Sequence, residues 1–180
     1  MMDDQEILKE RARILADPET DRFLPAEEGK EVLGFLLSGE HYAIETNVVR
    51  EAITIHEITP IPGTPSHLLG VMNVRGRIIP VVDLKQFLGM EREGIEHATR
   101  AIILERGFYE IAFIPDALLP IQWIPGTQVK PAPATLKGLG AELLLGVMED
   151  ATILVDGDQM ISKLPPPEVV ALKKRPSKRG

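Results

Sequence analysis

The residue types that could do chemistry in this chain are not brought to useful spacings. Four histidines, His41, His56, His67 and His97, are scattered. None has a second histidine or a carboxylate at the spacing that puts two metal ligands on one helix face. His56-Glu57 opens like a zinc-protease motif, but Pro60 stands where the second histidine belongs. The glycines of Gly63-Thr64-Pro65 to Gly70 come without the Lys-Ser/Thr that holds phosphates, so there is no P-loop. There is no G-x-S-x-G motif, and no cysteine to act as a nucleophile. Glu149-Asp150 could form a carboxylate pair, and a solvated turn between two strands accounts for it equally well. The side chains therefore argue against an enzyme, a metal site or a bound cofactor, and what remains is surface.

The elements that would present such a surface centre on Leu68 to Leu84, LLGVMNVRGRIIPVVDL. Two apolar, β-branched runs flank Gly76, the pattern of a buried hairpin with a position free to take positive φ. Arg75 and Arg77 stand on either side of the glycine, too polar for core. They are either solubilising charge or a contact point on a rigid scaffold. Val48, Val49 and Ile53 surround a short link upstream, and the residues alone leave open whether they are core or an exposed apolar groove. A weaker copy of the central stretch follows. Leu145-Gly146-Val147-Met148 repeats Leu69-Gly70-Val71-Met72, and Val155-Asp156 with Gln159 repeats Val82-Asp83 with Gln86. Both copies close on apolar pairs, Phe87-Leu88 and Met160-Ile161, so two similar halves are expected.

A chain of 180 residues has room for one domain, or two small barrels sharing a core, plus tails. With 15 Gly and 15 Pro there are many turns between short strands, which favours a mainly β class. Absence of cysteine fits a reducing compartment, the apolar runs are too short to cross a bilayer, and Asp3-Asp4 does not open a signal peptide. The expectation is a cytoplasmic protein without membrane insertion. A net charge of -7 and only eight aromatic residues count against nucleic acid as a partner. Residues Met1 to Glu31 carry ten acidic and five basic residues, whereas Lys173 to Gly180 carries five basic residues and no acid.

Along the chain, Asp4 to Ala16 has Ile7, Leu8, Ile14 and Leu15 on one stripe, predicting an amphipathic helix that packs on its own domain or docks on a partner. Residues 1–30 form this helix and a linker, and 166–180 a basic disordered tail. Val32–Leu37 and His41–Glu45 form a hairpin about Gly39, and Thr46–Glu51 a helical or bulged link. Pro80 lacks a ladder donor, which places its strand at an edge or at a bulge. Leu84–Leu88 is a short helix. Thr99–Leu104 and Phe108–Ile114 form the next hairpin, Leu118–Trp123 continues the sheet, and Glu142–Met148, Thr152–Val155 and Asp158–Lys163 complete the second half.

These residues, in the order Gly34-Phe35, Tyr42-Ala43-Ile44-Glu45, Val48 to Glu51 and Leu69 to Leu84 with its G-V-x-N-x-R-G-x-x-x-P-x-x-D-L pattern, resemble the CheW family of bacterial chemotaxis coupling proteins. The likeness covers about Glu31 to Lys163 and departs near Ala151–Gln159, which is shorter than usual and has Gly157 in place of an apolar residue. It implies two packed five-stranded SH3/OB-like β-barrels over 31–165, the first mainly 31–95 and the second mainly 96–165. It implies a non-catalytic adaptor without cofactors that couples the cytoplasmic tips of chemoreceptors, the methyl-accepting chemotaxis proteins, to a CheA-type histidine kinase, recruited to membrane receptor arrays and meeting other CheW-like domains there. Carried over by position, Val49, Glu51 and Gly70, with Val48 and Ile53 beside them, match the receptor-binding surface. Arg75 matches the coupling arginine, and Arg100, Ala101 and Ile102 the kinase-binding strand. Two alternatives stand beside it: a CheW-like adaptor of a pilus, gliding or developmental pathway, and a small-barrel nucleic-acid-binding module.

Overall fold

The structure is a computed structural model, and the residues it describes are 28–91, 99–132 and 139–164. The expected helix over Asp4–Ala16, most of the Glu91–His97 crossing, part of the Pro125–Leu139 loop and the basic tail lie outside the described residues.

Eleven strands are described: β1 (Gly29–Leu37), β2 (Glu40–Glu45), β3 (Val49–Thr54), β4 (Leu68–Val74), β5 (Arg77–Val82), β6 (Arg100–Arg106), β7 (Tyr109–Phe113), β8 (Ala117–Pro125), β9 (Val129–Lys130), β10 (Leu144–Met148) and β11 (Ile153–Val155). Short α-helices α1 (Leu84–Phe87) and α2 (Gly157–Lys163) close the two halves, and a 3-10 turn at Thr46–Val48 links β2 to β3. The last strand and closing helix thus both form despite the shortened Ala151–Gln159 stretch. Gly157 earns its place there: a Cβ on it would lie 2.4 Å from Val48 Cγ2, so only the glycine lets α2 start against the core.

The class is mainly β, as expected, but the strands divide six and five rather than five and five. One sheet runs β8-β1-β2-β11-β10-β9 and the other β3-β6-β7-β5-β4. Nor do the sheets follow a division into 31–95 and 96–165. The first hairpin of the first half, β1-β2, lies beside β11 and β10 of the second, and β6-β7 lies beside β5 and β4 of the first. Both junctions are parallel, β11 on β2 and β7 on β5. Beyond the end of β3, Thr59 makes an isolated antiparallel bridge to Val71 on the edge strand β4.

The internal repeat is structural. In each copy the hairpin shifts register by one residue, between Leu68 and Gly70 and between Leu144 and Gly146. In each copy an aspartate caps the following helix, Asp83 Oδ1 accepting the Gln86 N–H at 3.2 Å and Asp156 Oδ1 the Gln159 N–H at 3.0 Å. Pro80 falls in β5, which is not an edge strand. The bulge lies on its partner β4, and the β7 ladder engages only Val81 and Val82, so the missing donor at Pro80 leaves no ladder position unfilled.

Apolar residues at successive strand positions are buried on both faces, which explains runs such as Ala101 to Leu104. Ile102 and Leu104 join Phe35, Ile44 and Phe113 in the core shared by the sheets, whereas Ala101 and Ile103 face a smaller cluster with Met72, Ile79 and Val81. Each fully buried side chain of this size contributes about 1.5–3 kcal/mol. The turn at Ser38 is tied down by Asp116, whose Oδ2 accepts the Ser38 N–H at 2.6 Å while its Oδ1 pairs with the buried Lys85 ammonium.

Candidate functional site

The β4–β5 hairpin ends in a two-residue loop, Val74 pairing directly with Arg77. Arg75 and Gly76 both have positive φ, 51° and 83°, as a type I′ turn requires, and Asn73 Oδ1 accepts the Gly76 N–H at 2.8 Å. Glycine is at home in that conformation; an arginine held there costs roughly 1–2 kcal/mol. The turn therefore carries a side chain that does not favour its geometry, an observation that points from strain to function.

The Arg75 guanidinium, with 70% of its side chain exposed, donates two parallel hydrogen bonds of 2.9 Å to the two carboxylate oxygens of Glu51. Glu51 sits on β3 and Arg75 at the tip of β4-β5, so the pair joins the two outer strands of the five-stranded sheet. A groove of about 390 Å³ lies there, with Thr54, His56, Met72 and Asn73 also on its walls. Glu51 Oε1 also receives Arg77 Nη2 at 3.4 Å and lies 3.9 Å from Arg50 Nε. Arg77 reaches on to Glu110, and Arg50 pairs with Glu105 and stands 3.6 Å from Glu110. Three arginines and three glutamates from four strands and one turn thus alternate in one balanced network. The sequence pointed to Arg75, Arg77 and Glu51. It gave no sign of Arg50, Glu105 and Glu110, because strand register across β3, β6 and β7 brings them in.

The hydrogen bonds from Arg75, with the positive charges of Arg75, Arg77 and Arg50 behind them, hold the Glu51 carboxyl below its ordinary value of 4.5 against the opposing effect of burial. A lowered folded-state pKa means that the stabilisation is present above the unfolded value and is lost as pH falls through the folded one. In a carbon-13 NMR titration Glu51 is expected to have its midpoint below 4.5, and Arg75→Ala should move that midpoint upward. Equal midpoints in the two proteins would mean that the bidentate pair is absent in solution.

The other site residues separate by burial. Val48 is only 3% exposed and belongs to the shared core, Gly70 is buried, and Ala101 and Ile102 are fully buried on β6. None of these four offers side-chain surface to a partner. The reading of Val48, Gly70, Ala101 and Ile102 as direct contacts is therefore corrected to structural support. Val49 and Ile53 are half-buried on β3, and Arg100 is exposed at the start of β6 opposite Thr54. Among the exposed apolar residues that escaped the sequence reading, Ile121 and Trp123 lie together on the edge strand β8, 58% and 56% exposed. Trp123 pairs with Glu31, whose carboxylate accepts the Thr46 hydroxyl at 2.9 Å, so this row leads to the turn before Val49. Tryptophan reads as core from sequence, and only the edge position of β8 shows otherwise. Among the described residues no cluster of three or more His, Asp or Glu could hold a metal ion, and no helix is long and apolar enough to cross a membrane.

Two strand-exchanged sheets carrying an arginine-tipped turn define a β-domain whose distinctive chemistry is on its surface. The model of the CheW-like domain matches residues 31–165, and the chain belongs to this family of chemotaxis-type adaptors. It is 31% identical over 137 residues to the chemotaxis protein CheW of Klebsiella aerogenes, covering 74% of this chain and 82% of that one. It is 33% identical over 132 residues to the protein FrzA of Myxococcus xanthus, covering 72% and 81%. With the protein PilI of Pseudomonas aeruginosa it shares 29% over 109 residues, 58% and 61% of the chains. The crystal structure of the scaffolding protein TtCheW from Thermoanaerobacter tengcongensis superposes with a TM-score of 0.64 at 30% identity, over 71% of this chain and 88% of that one.

Proposed function

We propose that this protein is a cytoplasmic, non-catalytic adaptor that couples chemoreceptor tips to a CheA-type histidine kinase, and is recruited to receptor arrays by those contacts. The observation that carries the reading is Arg75, held out on a rigid turn at a conformational cost and oriented by Glu51. Family membership supplies the context for it. The receptor-facing surface is assigned to Val49 and Ile53 with Glu51, extended by Ile121 and Trp123; such a mixed apolar strip suits an amphipathic helix. The kinase-facing surface is assigned to Arg100, the exposed residue at the start of β6, with Ala101 and Ile102 supporting it from the core. Weak contacts of this kind become effective when repeated across an array.

Val49→Asp is expected to weaken retention of a receptor fragment in a pull-down by at least about tenfold, since a charge placed in an apolar contact must be desolvated without a partner. Unchanged retention would remove Val49 from the interface. The test of the whole reading is reconstitution of a CheA-type kinase with receptor fragments. Autophosphorylation should respond to the receptor only when this protein is present, and a kinase indifferent to its addition would reject the function.

FrzA and PilI are as similar to this chain as several chemotaxis proteins, so the relatives do not single out one pathway, and a second reading, an adaptor of a pilus, gliding or developmental system, stands beside the first. Reconstitution with receptors of each kind separates the two. A nucleic-acid module is disfavoured by the net charge of -7. Such a binder would show single-stranded DNA affinity falling steeply with salt.

A further inference from the structure

The polypeptide enters the fold beside its sole tryptophan. Glu28 is the first described residue, and its carbonyl accepts the Gly126 N–H at 2.7 Å. Gly29 follows on β1, and a Cβ there would overlap the Trp123 ring, so the indole lies directly against the backbone of the incoming chain. Across the ladder Trp123 pairs with Glu31 and Ile121 with Leu33. Directly opposed residues share a face of a sheet, so Ile121 and Trp123 continue the face that carries Leu33 and Phe35 into the shared core. Yet more than half of each side chain is uncovered, and β8 has no strand beyond it among the described residues.

Whatever covers this margin must bring an apolar stripe, and the 27 residues ahead of Glu28 carry one. A helix over Asp4–Ala16, about 20 Å long, sets Ile7, Leu8, Ile14 and Leu15 on one side. Arg11 falls in the middle of that stripe, where a purely apolar bed would leave its charge unpaired. The β8 margin is not purely apolar. The exposed Glu31 stands across the ladder from Trp123, and the indole itself offers a face to a cation. Residues 17–27 are a tether of eleven residues that spans at most about 36 Å and ends against the indole. Held this close, the segment meets the strip at an effective concentration in the millimolar range, so a contact too weak to form between separate molecules is occupied within one. A free partner would have to supply the same cation within an apolar stripe, without the tether.

We infer that residues 4–16 of this chain dock as an amphipathic helix on Ile121 and Trp123, with Arg11 toward Glu31. The docking stands independently of the receptor surface proposed above; its regulatory consequence rests on that reading. With the strip as part of the receptor-facing surface, the segment occupies the place of a receptor helix, and the receptor binds by displacing it.

Because Trp123 is the only tryptophan, its fluorescence in the full chain reports the contact without a competing signal. Acrylamide is expected to quench it at least about threefold more effectively in Leu8→Asp/Leu15→Asp than in the parent protein, since two charges cannot enter the apolar contact unpaired. Lys9→Gln, on the opposite side of the helix, should be quenched like the parent. Equal quenching of the parent and Leu8→Asp/Leu15→Asp overturns the inference, whatever receptor binding shows. So does protection of Trp123 that grows with protein concentration across the micromolar range, which would place the segment on a second copy. Protection that appears only when a receptor fragment is added overturns it too, and gives the strip to the receptor alone. Loss of protection in Leu8→Asp/Leu15→Asp with unchanged receptor retention supports the docking and instead removes Ile121 and Trp123 from the receptor surface. The absence of cysteine makes a second measurement clean. Under mild oxidation Leu8→Cys/Ile121→Cys should close an intramolecular disulfide far faster than Lys9→Cys/Ile121→Cys, and equal rates would reject the geometry.

Discussion

Gly70→Ala is expected to remove about 3 kcal/mol or more of stability, seen as a fall of roughly 10 °C in Tm and a lower midpoint in urea. Two costs add at this one position. A Cβ there would lie 2.2 Å from the carbonyl oxygen of Thr59, 2.7 Å from its carbon and 3.0 Å from Pro60 Cα, all of them backbone atoms that no rotamer change can move. The φ of Gly70 is also +148°, which L side chains rarely adopt. Thr59 and Val71 exchange hydrogen bonds of 2.8 and 2.9 Å beside it, so relieving the clash opens the bridge that holds the segment after β3 against β4. Gly146→Ala is the internal control. Its Cβ would stand 2.4 Å from the Lys130 carbonyl oxygen, but its φ is not positive, and the loss should be smaller. If Gly70→Ala also fails to hold a receptor fragment, the melting curve tells why. Loss of binding with an unchanged Tm would restore Gly70 to the contact surface and refute the structural role.

Arg75→Ala is expected to leave the fold intact and abolish receptor control of the kinase. The side chain is largely exposed, its partner Glu51 keeps Arg77 within 3.4 Å and Arg50 at 3.9 Å, and exposed ion pairs contribute about 0–1 kcal/mol. Arg75→Gly sharpens the comparison, because it also removes the strain of positive φ. That variant should melt at or above the parent temperature while remaining uncoupled. The measurement is autophosphorylation of a CheA-type kinase with receptor fragments, beside a thermal melt of each variant. Normal coupling by either variant would reject the assigned role of Arg75. Uncoupling matched by a large fall in Tm would show instead that Arg75 acts by holding the sheet together.

Much of this architecture was legible from local signals. The two hairpins with Gly39 and Gly76 in their turns, the 3-10 link at Thr46–Val48 and the short helix after Asp83 lie where turn chemistry and apolar runs placed them, whereas the two aspartate caps were found only in the structure. The repeat of Leu69–Met72 at Leu145–Met148 reported a shared bulge and a shared close backbone approach. What could not be read is what depends on pairing at long range. Which hairpin lies beside which is set by the parallel contacts of Val81 with Ala112 and Ile153 with Tyr42, and no local pattern encodes them. The same limit applied to the site. Arg75 and Glu51 could be picked out singly, but their union, and the further links to Glu110 and Glu105, come from register across strands far apart in sequence. Val48 shows a different limit: its neighbours left it open between core and groove, the family resemblance set it beside the receptor-binding residues, and it is in fact buried against Gly157 from far along the chain.

The reciprocal lending of β1-β2 and β6-β7 between the two halves has a mechanical corollary. A cut between residues 91 and 99 would deprive each fragment of the strands its other hairpin rests on, leaving long bare edges of the kind that aggregate. The fragments should become soluble only when made together, clasping each other as the intact chain clasps itself. A tug on the arginine-tipped turn is therefore felt by β6 and β7 of the second half as well as by β3 to β5 of the first.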